Sequence, residues 1–287
     1  HGMDIAGGRA IQLGPRNFLA LTYQAIPIAI TVEGANILTR SLMIFGQGSM
    51  RCHPYLYEEL QLLQAEDTKA ALVPFDTLLF KHLAYTFNRT ARSFNYGIFG
   101  GPSDASAQTD AFSRPFYKTI NRFSANFALT ADLCLGLLAG DIKRKEMLSG
   151  RLADIHAHLF IATAILKFYE KGQRSEVEQQ HAQLALEKAF VQIQDAFDGL
   201  FANFPMRAAA CVVKFICFPF GRVAQQPSDQ LKTQLGLAIM ENNPFREQLK
   251  QHVFYNTDPN DVFGRMENAF QAALKIDPLW TKFKKAE

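Results

Sequence analysis

Apolar residues recur every three or four positions along most of this chain, and this spacing limits the folds it can adopt. The pattern is clearest in two segments. They run through Leu152, Ile155, Leu159, Ala162, Leu166 and Tyr169, and through Leu186, Phe190, Ile193, Phe197, Leu200 and Phe204. Such spacing puts the apolar side chains on one face of an α-helix, which must pack against another helix to be buried. Segments that alternate apolar and polar residues are almost absent, so the sequence predicts an all-α fold.

Further helices follow from the same spacing and from turn residues. One apolar stripe is formed by Phe75, Leu79, Leu83 and Thr86, and a longer one by Phe116, Ile120, Phe123, Phe127, Thr130, Cys134 and Leu138. Shorter helices are predicted from Pro54 to Gln64, from the capping pair Ser228-Asp229 to Ile239, and from Val262 to Leu274. The segment GIFGGPSDASAQT, residues 97–109, is predicted to be a plain loop, because its glycines follow no strand and no lysine completes a phosphate-binding loop.

Composition excludes several classes of protein. The 287 residues carry a net charge of +3, with 20% charged and 48% hydrophobic residues. These values are typical of a globular chain, and they indicate no nucleic-acid partner. No apolar run reaches the roughly 18 to 20 residues that a spanning helix needs, so we do not expect an integral membrane protein. His1 and Gly2 resemble a remnant of cloning, and the chain is expected to be a fragment of a longer protein.

Cysteine and histidine positions argue against a metal site. The four cysteines, which form no CxxC pair and lie among apolar residues, are Cys52, Cys134, Cys211 and Cys217. This usage fits a reducing cytoplasm. His156 and His158 are two residues apart, so their side chains point about 200° apart on a helix and cannot chelate one ion. The sequence predicts no metal ligand.

In the segment IAITVEGANILTR, residues 28–40, the carboxylate of Glu33 lies between a pattern typical of a strand and a pattern typical of a helix. Ile28, Ile30, Thr31 and Val32 favour an extended, half-buried backbone, whereas Ile37, Leu38, Leu42 and Phe45 recur at helical spacing. Glu33 therefore lies at a junction, in or near the first turn of a helix. From the residue types alone, its role is charge complementarity with the positive end of the helix dipole.

The segment AAACVVKFICFPF, Ala208 to Phe220, is the most apolar part of the chain, with Lys214 as its single charge. A buried core helix and a helix that docks on a membrane surface would share this composition. In the second case Val212, Phe215, Ile216 and Phe218 would enter the membrane, while the basic residues Arg207, Lys214 and Arg222 would meet anionic headgroups. Both alternatives stay open.

Longer motifs carry a resemblance to a known family. The segment MDIAGGRAIQLGPRNFLALTYQAIPIAITVEGANILTRSLMIFGQGSMRCHPY resembles the carboxyl-terminal region of an acyl-CoA dehydrogenase, in particular the long bacterial enzymes of fatty-acid β-oxidation. The segments RLADIHAHLFIATAILKFYE, FPMRAAACVVKFICFPFGR and FYNTDPNDVFGRMENAFQAALKIDPLW resemble the extra helical region that follows the flavoprotein core in those enzymes. The resemblance divides the chain into residues 1–60, the end of the dehydrogenase domain, and residues 61–287, an additional helical domain.

The resemblance implies a catalytic role for Glu33. In the family, the carboxylate of the EG motif removes the α-proton of a medium- or long-chain acyl-CoA thioester while hydride passes from the β-carbon to N5 of FAD, and the product is a trans-2-enoyl-CoA. A base for so weak an acid must be shielded from water, and Ile28, Ile30 and Val32 are expected to provide that shielding. Gly34 has no Cβ, so it allows the thioester carbonyl to approach the backbone closely.

The resemblance also assigns cofactor contacts. Gly7 and Gly8 match the GG turn that lies against the FAD of a neighbouring subunit, which implies a homodimer. Two departures from the family pattern concern this cofactor. Asp4 replaces a glutamine near the pyrophosphate, and Ala35-Asn36 replaces the threonine that follows the EG motif, so that Asn36 is the expected polar contact.

The remaining expectations concern the longer protein. Most FAD contacts are expected to lie in domains that precede residue 1, so the isolated chain is expected to be inactive. An electron-transfer flavoprotein or a similar acceptor would reoxidise the flavin. The expected location is the cytoplasm, or the periphery of the inner membrane. A non-catalytic helical module for dimerisation or membrane association is the alternative function.

Overall fold

The computed structural model describes residues 1–14, 17–32, 38–40, 48–103, 109–251, 253, 254, 256, 258 and 260–286, and these contain helices and no strand. The all-α prediction is confirmed. The first helices are α1 (Gly2–Ala6), α2 (Ala20–Ala25), α3 (Ile28–Val32), α4 (Gly48–Cys52), α5 (Leu56–Leu63), α6 (Thr68–Phe99) and α7 (Ser113–Leu138). They are followed by α8 (Glu146–Lys171), α9 (Glu176–Asn203), α10 (Arg207–Cys217), α11 (Asp229–Ile239), α12 (Pro244–Lys250) and α13 (Val262–Ala286). Two 3-10 segments, Gly7–Ile11 and Ala139–Lys143, follow α1 and α7.

The chain forms two compact units. One consists of His1–Ala35 together with Thr233–Glu287, and the other of Asn36–Lys232. The domain boundary predicted near residue 60 from the family resemblance stays a prediction, since compactness and family relationship are different criteria.

Helices α7, α8 and α9 build the core of the larger unit. The apolar stripes predicted on α8 and α9 are buried at every position named for them, from Leu152 to Tyr169 and from Leu186 to Phe204. Helix α9 begins with a reciprocal capping box, in which Ser175 Oγ accepts from Glu178 N at 3.3 Å and Glu178 Oε2 accepts from Ser175 N at 2.8 Å. Periodicity and capping therefore agree on this part of the fold.

The stripe predicted on α6 does not face the core. Leu83 is 56% exposed and Leu79 is also exposed, whereas the buried residues of this helix are Ala71, Leu78, Ser93 and Gly97. The expectation that Leu79 and Leu83 are core residues is wrong for this chain. Near the end of the helix a small residue allows close packing instead, because a Cβ on Gly97 would lie 2.9 Å from Pro219 Cδ.

The extended backbone predicted before Glu33 is also wrong. Ile28–Val32 is a short helix, α3, and the side chains of Ile28, Ile30 and Val32 are exposed. A β-branched segment favours a strand only when a neighbouring strand can pair with it, and the described residues contain none. The three side chains that were expected to shield a base from water are thus exposed in this chain.

Two segments, Ser113–Lys143 and Glu146–Lys171, are long and apolar enough to span a bilayer by length and composition. The sequence-based expectation had found no such run. Each segment also carries ionised side chains, including Arg122 and Asp132 in the first and Arg151 in the second, which a bilayer centre disfavours. Their buried faces form the core between α7, α8 and α9, as core helices of a helical domain do.

The smaller unit brings the amino-terminal segment against α13. The rings of Phe18 and Phe263 meet edge to face with centroids 5.7 Å apart. Arg246 of α12 pairs with Glu267 of α13, with Nη2 and Oε2 2.8 Å apart. The hydrogen bond from Arg246 is the main reason that the pKa of Glu267 falls to about 2, and those from Gln271 and Lys250 add to it.

Helix α13, predicted as far as Leu274, continues through Pro278.

Candidate functional site

Three of the site residues named from the sequence, Glu33, Gly34 and Asn36, lie outside the described residues. Gly7 and Gly8 are described, at the change from α1 to the 3-10 segment. Gly7 has φ +60°, a conformation that L side chains rarely adopt, and a Cβ on either glycine would meet nothing within 4 Å. The turn thus requires a glycine at residue 7 and leaves open space beside both residues.

Basic residues lie close to this turn. A cavity of about 240 Å³ within the smaller unit is lined by Arg9, Phe18, Arg265 and Met266, among others. Asp4, the departure from the family pattern, is exposed and pairs with the amino terminus of the chain at 3.5 Å. Arg9, two residues after Gly7, shares this cavity with Arg265, and two guanidinium groups suit a pyrophosphate.

A second group of polar residues, unnamed by the sequence analysis, lies between α5, α6 and α7. We call it the His82 cluster; it consists of His53, Glu59, His82, Thr86 and Asp132. His53 Nε2 and His82 Nε2 approach the same atom, Asp132 Oδ1, at 3.1 and 2.9 Å. Thr86 Oγ1 donates to Asp132 Oδ2 at 2.5 Å. The Asp132 side chain is only 4% exposed and Glu59 is also buried, whereas His53, His82 and Thr86 are partly buried.

The hydrogen bonds of His82 favour its imidazolium form. Its Nδ1 contacts Glu59 Oε1 at 2.8 Å and its Nε2 contacts Asp132, and a carboxylate can only accept, so both ring nitrogens must donate. Burial alone would lower the pKa of His82, but the hydrogen bonds and charges of Asp132 and Glu59 raise it above its ordinary value. Burial would raise the pKa of Asp132, yet hydrogen bonds from His53, His82 and Thr86 hold it at about 2.

Unlike His82, His53 donates through only one of its ring nitrogens. Its Nδ1 accepts from the backbone N–H groups of Tyr55 and Leu56, at 3.3 and 3.1 Å, where it caps the start of α5. The ring proton is therefore on Nε2, where it is donated to Asp132. One nitrogen of each histidine and one Asp132 oxygen lie within 4.8 Å of one another, close enough for one metal ion. However, Nε2 of His53 offers no lone pair while Nδ1 caps the helix, so the arrangement favours a hydrogen-bonded network over a three-ligand metal site.

The sequence analysis missed this cluster because its members are far apart in the chain. The one local signal is the spacing of His82 and Thr86, which are four residues apart and therefore share a face of α6. The histidines that the sequence analysis did consider lie elsewhere. His156 stacks on Phe127 with centroids 5.7 Å apart, and the Nδ1 of His158 lies 2.9 Å from the carbonyl of Asp154.

The apolar segment Ala208 to Phe220 has one buried face, as expected of a core helix, and one exposed face, as a docking helix would need. Most of it forms α10, in which Ala210, Val213 and Cys217 are buried. Phe218 is 4% exposed, so its predicted place on a docking face is wrong, whereas Phe215 is 60% exposed. One face of the helix is core, and the other is available for contact.

The basic residues proposed to flank a membrane contact are mostly engaged elsewhere. Arg222 pairs with Asp195 and Asp198 at 2.7 and 2.6 Å. Arg207 donates to the backbone carbonyls of Phe201 and Ala202. Lys214 forms no ion pair with any residue that the structure describes, so the local basic charge is smaller than the sequence suggested.

None of the four cysteines forms a disulfide. Burial raises the pKa of Cys134 and of Cys217 to about 12, so neither thiol is a candidate nucleophile.

Comparison with known proteins defines the class of this chain. Residues 50–287 match the family model described as acyl-CoA dehydrogenase, C-terminal, bacterial type. The chain belongs to this family, and the resemblance read from the sequence is confirmed. No solved structure was found to match the chain.

Proposed function

We propose that this chain is the carboxyl-terminal part of a longer FAD-dependent acyl-CoA dehydrogenase that converts medium- or long-chain acyl-CoA to trans-2-enoyl-CoA. The observation that carries the proposal is the family match over residues 50–287, which adjoins the EG and GG motifs in residues 7–34. The enzyme would act in the cytoplasm, free or at the periphery of the inner membrane.

In this proposal, Glu33 is the base. Its carboxylate accepts the α-proton of the thioester, a C=C bond forms between the α- and β-carbons, and the β-hydrogen leaves with its electron pair. FAD, when bound, supplies the acceptor for that hydride and is reoxidised by an electron-transfer flavoprotein or a similar partner. Gly34 gives the thioester carbonyl access to the backbone, and Asn36 is the proposed polar contact to the flavin.

The GG turn supports a contact with the cofactor. Gly7 has a positive φ, and open space lies beside both Gly7 and Gly8, as a backbone that meets a pyrophosphate requires. The guanidinium groups of Arg9 and Arg265 would add positive charge nearby. The turn would contact only one end of FAD, so the proposal includes other domains that bind the rest of the cofactor. It also includes a homodimer, in which the turn of one subunit contacts the FAD of the other.

The test compares the longer protein with this chain. We expect the longer protein to bind FAD and to form trans-2-enoyl-CoA from an acyl-CoA series in the presence of an artificial electron acceptor. The isolated chain is expected to purify colourless and inactive. A longer protein that binds FAD but desaturates no acyl-CoA would contradict the assignment.

A membrane-docking module is the second candidate function, and exposed aromatic residues favour it. Phe215 on α10 contacts Phe94 on α6, with ring centroids 6.2 Å apart, and Phe80 and Phe87 are exposed further along α6. Aromatic side chains of this kind can enter the headgroup region of a membrane. The two functions are compatible in one protein.

A further inference from the structure

A cavity of about 630 Å³ lies in the larger unit between α4, α5, α6, α7 and the 3-10 segment Ala139–Lys143. Nine leucine, isoleucine and methionine side chains line it, among them Leu60, Leu79, Leu83 and Leu133. This volume falls within the range of about 300–1,000 Å³ that small-molecule sites occupy. The α6 stripe that does not reach the core thus lines a cavity.

Part of the cavity wall is polar. Glu59, His82, Thr86 and Asp132, four members of the His82 cluster, line it. Most of their hydrogen-bonding capacity is already used. Asp132 accepts three hydrogen bonds, and both ring nitrogens of His82 donate.

Glu59 is the exception. Its side chain is only 10% exposed, and Oε1 accepts from His82. Its other oxygen, Oε2, has no hydrogen-bond partner among the residues that the structure describes. This oxygen is not among the fully buried atoms that lack a partner, so solvent reaches it from the cavity, and a donor on a ligand in the cavity can replace that water.

The charge of the cluster indicates which donor fits best. Glu59 and Asp132 carry two negative charges and the His82 imidazolium one positive charge, which leaves the His82 cluster, though not the whole cavity lining, with a net negative charge. Lys143 also lines the cavity, but its side chain is exposed and forms no ion pair with Glu59. A cationic donor is therefore attracted to this wall and an anionic head group is repelled.

We propose that this cavity is a binding site for a small apolar molecule with a primary ammonium head group, which donates to Glu59 Oε2 while its hydrocarbon part packs against the leucine side chains. The proposal is independent of the dehydrogenase assignment, since it concerns a site that this chain builds alone. The ammonium is bound without any change of covalent structure.

Isothermal titration calorimetry on the 287-residue chain tests the site, with n-octylamine as the probe. Octanoate has the same chain length and the opposite charge, and we expect it to bind at least about tenfold more weakly. Glu59→Gln keeps an acceptor for His82 but presents an amide N–H₂ to the cavity. We expect this variant to bind n-octylamine at least about tenfold more weakly than the unchanged chain.

A second variant tests the cavity without touching the cluster. Gly136 lines the cavity, and a Cβ on it would meet nothing within 4 Å, so Gly136→Leu should fill the space and abolish binding. Gly236→Leu is the matched control, because Gly236 is also a helical glycine with open space beside it but lies on α11, outside the cavity. This control should bind n-octylamine as the unchanged chain does. The proposal is overturned if n-octylamine does not bind, if octanoate binds equally well, or if Gly136→Leu binds no more weakly than Gly236→Leu.

Discussion

His82 and Asp132, fifty residues apart in the chain, are joined by a hydrogen bond of 2.9 Å between Nε2 and Oδ1. The opposite nitrogen of His82 is bonded to Glu59, so the ring links α5 to α7 from its position on α6. A partly buried imidazolium between two carboxylates makes the packing of these helices dependent on pH.

We predict that the stabilisation from His82 declines as the pH rises above the ordinary pKa of histidine. Because the pKa of His82 is raised in the folded chain, its contribution is complete below the ordinary value of 6.5 and declines as the pH rises through the folded-state value. The measurement is urea unfolding of the unchanged chain and of His82→Gln between about pH 5.5 and about pH 9. The difference between their free energies of unfolding should shrink towards high pH. A difference that stays constant or grows would contradict the imidazolium assignment.

Removal of the central carboxylate should be costly. We expect Asp132→Ala to lower the free energy of unfolding by about 3–5 kcal/mol, because it removes a buried carboxylate and leaves the His82 imidazolium with one partner and His53 Nε2–H with none. Asp195→Ala is the matched control, since it removes a carboxylate from an ion pair in which Arg222 and Asp195 are 49% and 53% exposed. That change should cost about 0–1 kcal/mol. Equal losses in the two variants would show that the cluster does not hold the helices together.

Two glycines on long helices should respond oppositely to alanine. A Cβ on Gly97 would lie 2.9 Å from Pro219 Cδ and 3.2 Å from the Ile216 carbonyl oxygen, so Gly97→Ala should destabilise the packing of α6 and α10 by about 1–3 kcal/mol. Gly136→Ala meets no atom within 4 Å and should stabilise α7 by about 0.5–1 kcal/mol. Thermal unfolding followed by circular dichroism measures both. A stabilised Gly97→Ala variant would show that α10 does not pack on α6 as described.

Phe215 and Phe218, two of the three aromatic residues of the Ala208 to Phe220 segment, should separate core from surface. Phe218 is buried and its ring centroid is 5.3 Å from that of Phe197, so Phe218→Asp should cost several kcal/mol of stability. Phe215→Asp should leave the chain folded, because Phe215 is exposed.

Co-sedimentation with anionic liposomes then tests the docking hypothesis. We expect the unchanged chain to sediment with the liposomes and Phe215→Asp to remain in the supernatant. If the unchanged chain ignores the liposomes, or if Phe215→Asp still binds, the exposed face of α10 is not a membrane contact.

Sequence periodicity predicted the parts of the fold that depend on local pattern. The stripes on α8 and α9 are buried as expected, although α8 also exposes Met147, Phe160, Ile161 and Phe168 outside its stripe. The same reasoning was wrong for Leu79 and Leu83, since α6 has apolar residues on more than one face and periodicity alone does not say which face is covered. Ile28–Val32 was read as extended from β-branched residues, yet no strand among the described residues could pair with it.

The candidate sites also differ in whether a local sequence pattern could predict them. The GG turn was found from a motif, and the positive φ of Gly7 gives a physical reason for glycine there. The His82 cluster could not be found from the sequence, because His53, His82 and Asp132 meet only after three helices have packed. Glu33 rests on the family resemblance, and its role stays a prediction.

Flavin reduction in the longer protein tests the central proposal most directly. Under anaerobic conditions, Glu33→Gln should bind FAD normally, because the amide keeps the shape of the carboxylate. Since it cannot accept the α-proton, the rate at which acyl-CoA bleaches the flavin should fall by a factor of about 10²–10⁴. Glu58→Gln, which changes an exposed carboxylate of α5, should reduce its flavin at the unchanged rate. Flavin reduction in Glu33→Gln at a rate close to that of the unchanged protein would contradict the assignment of Glu33 as the base.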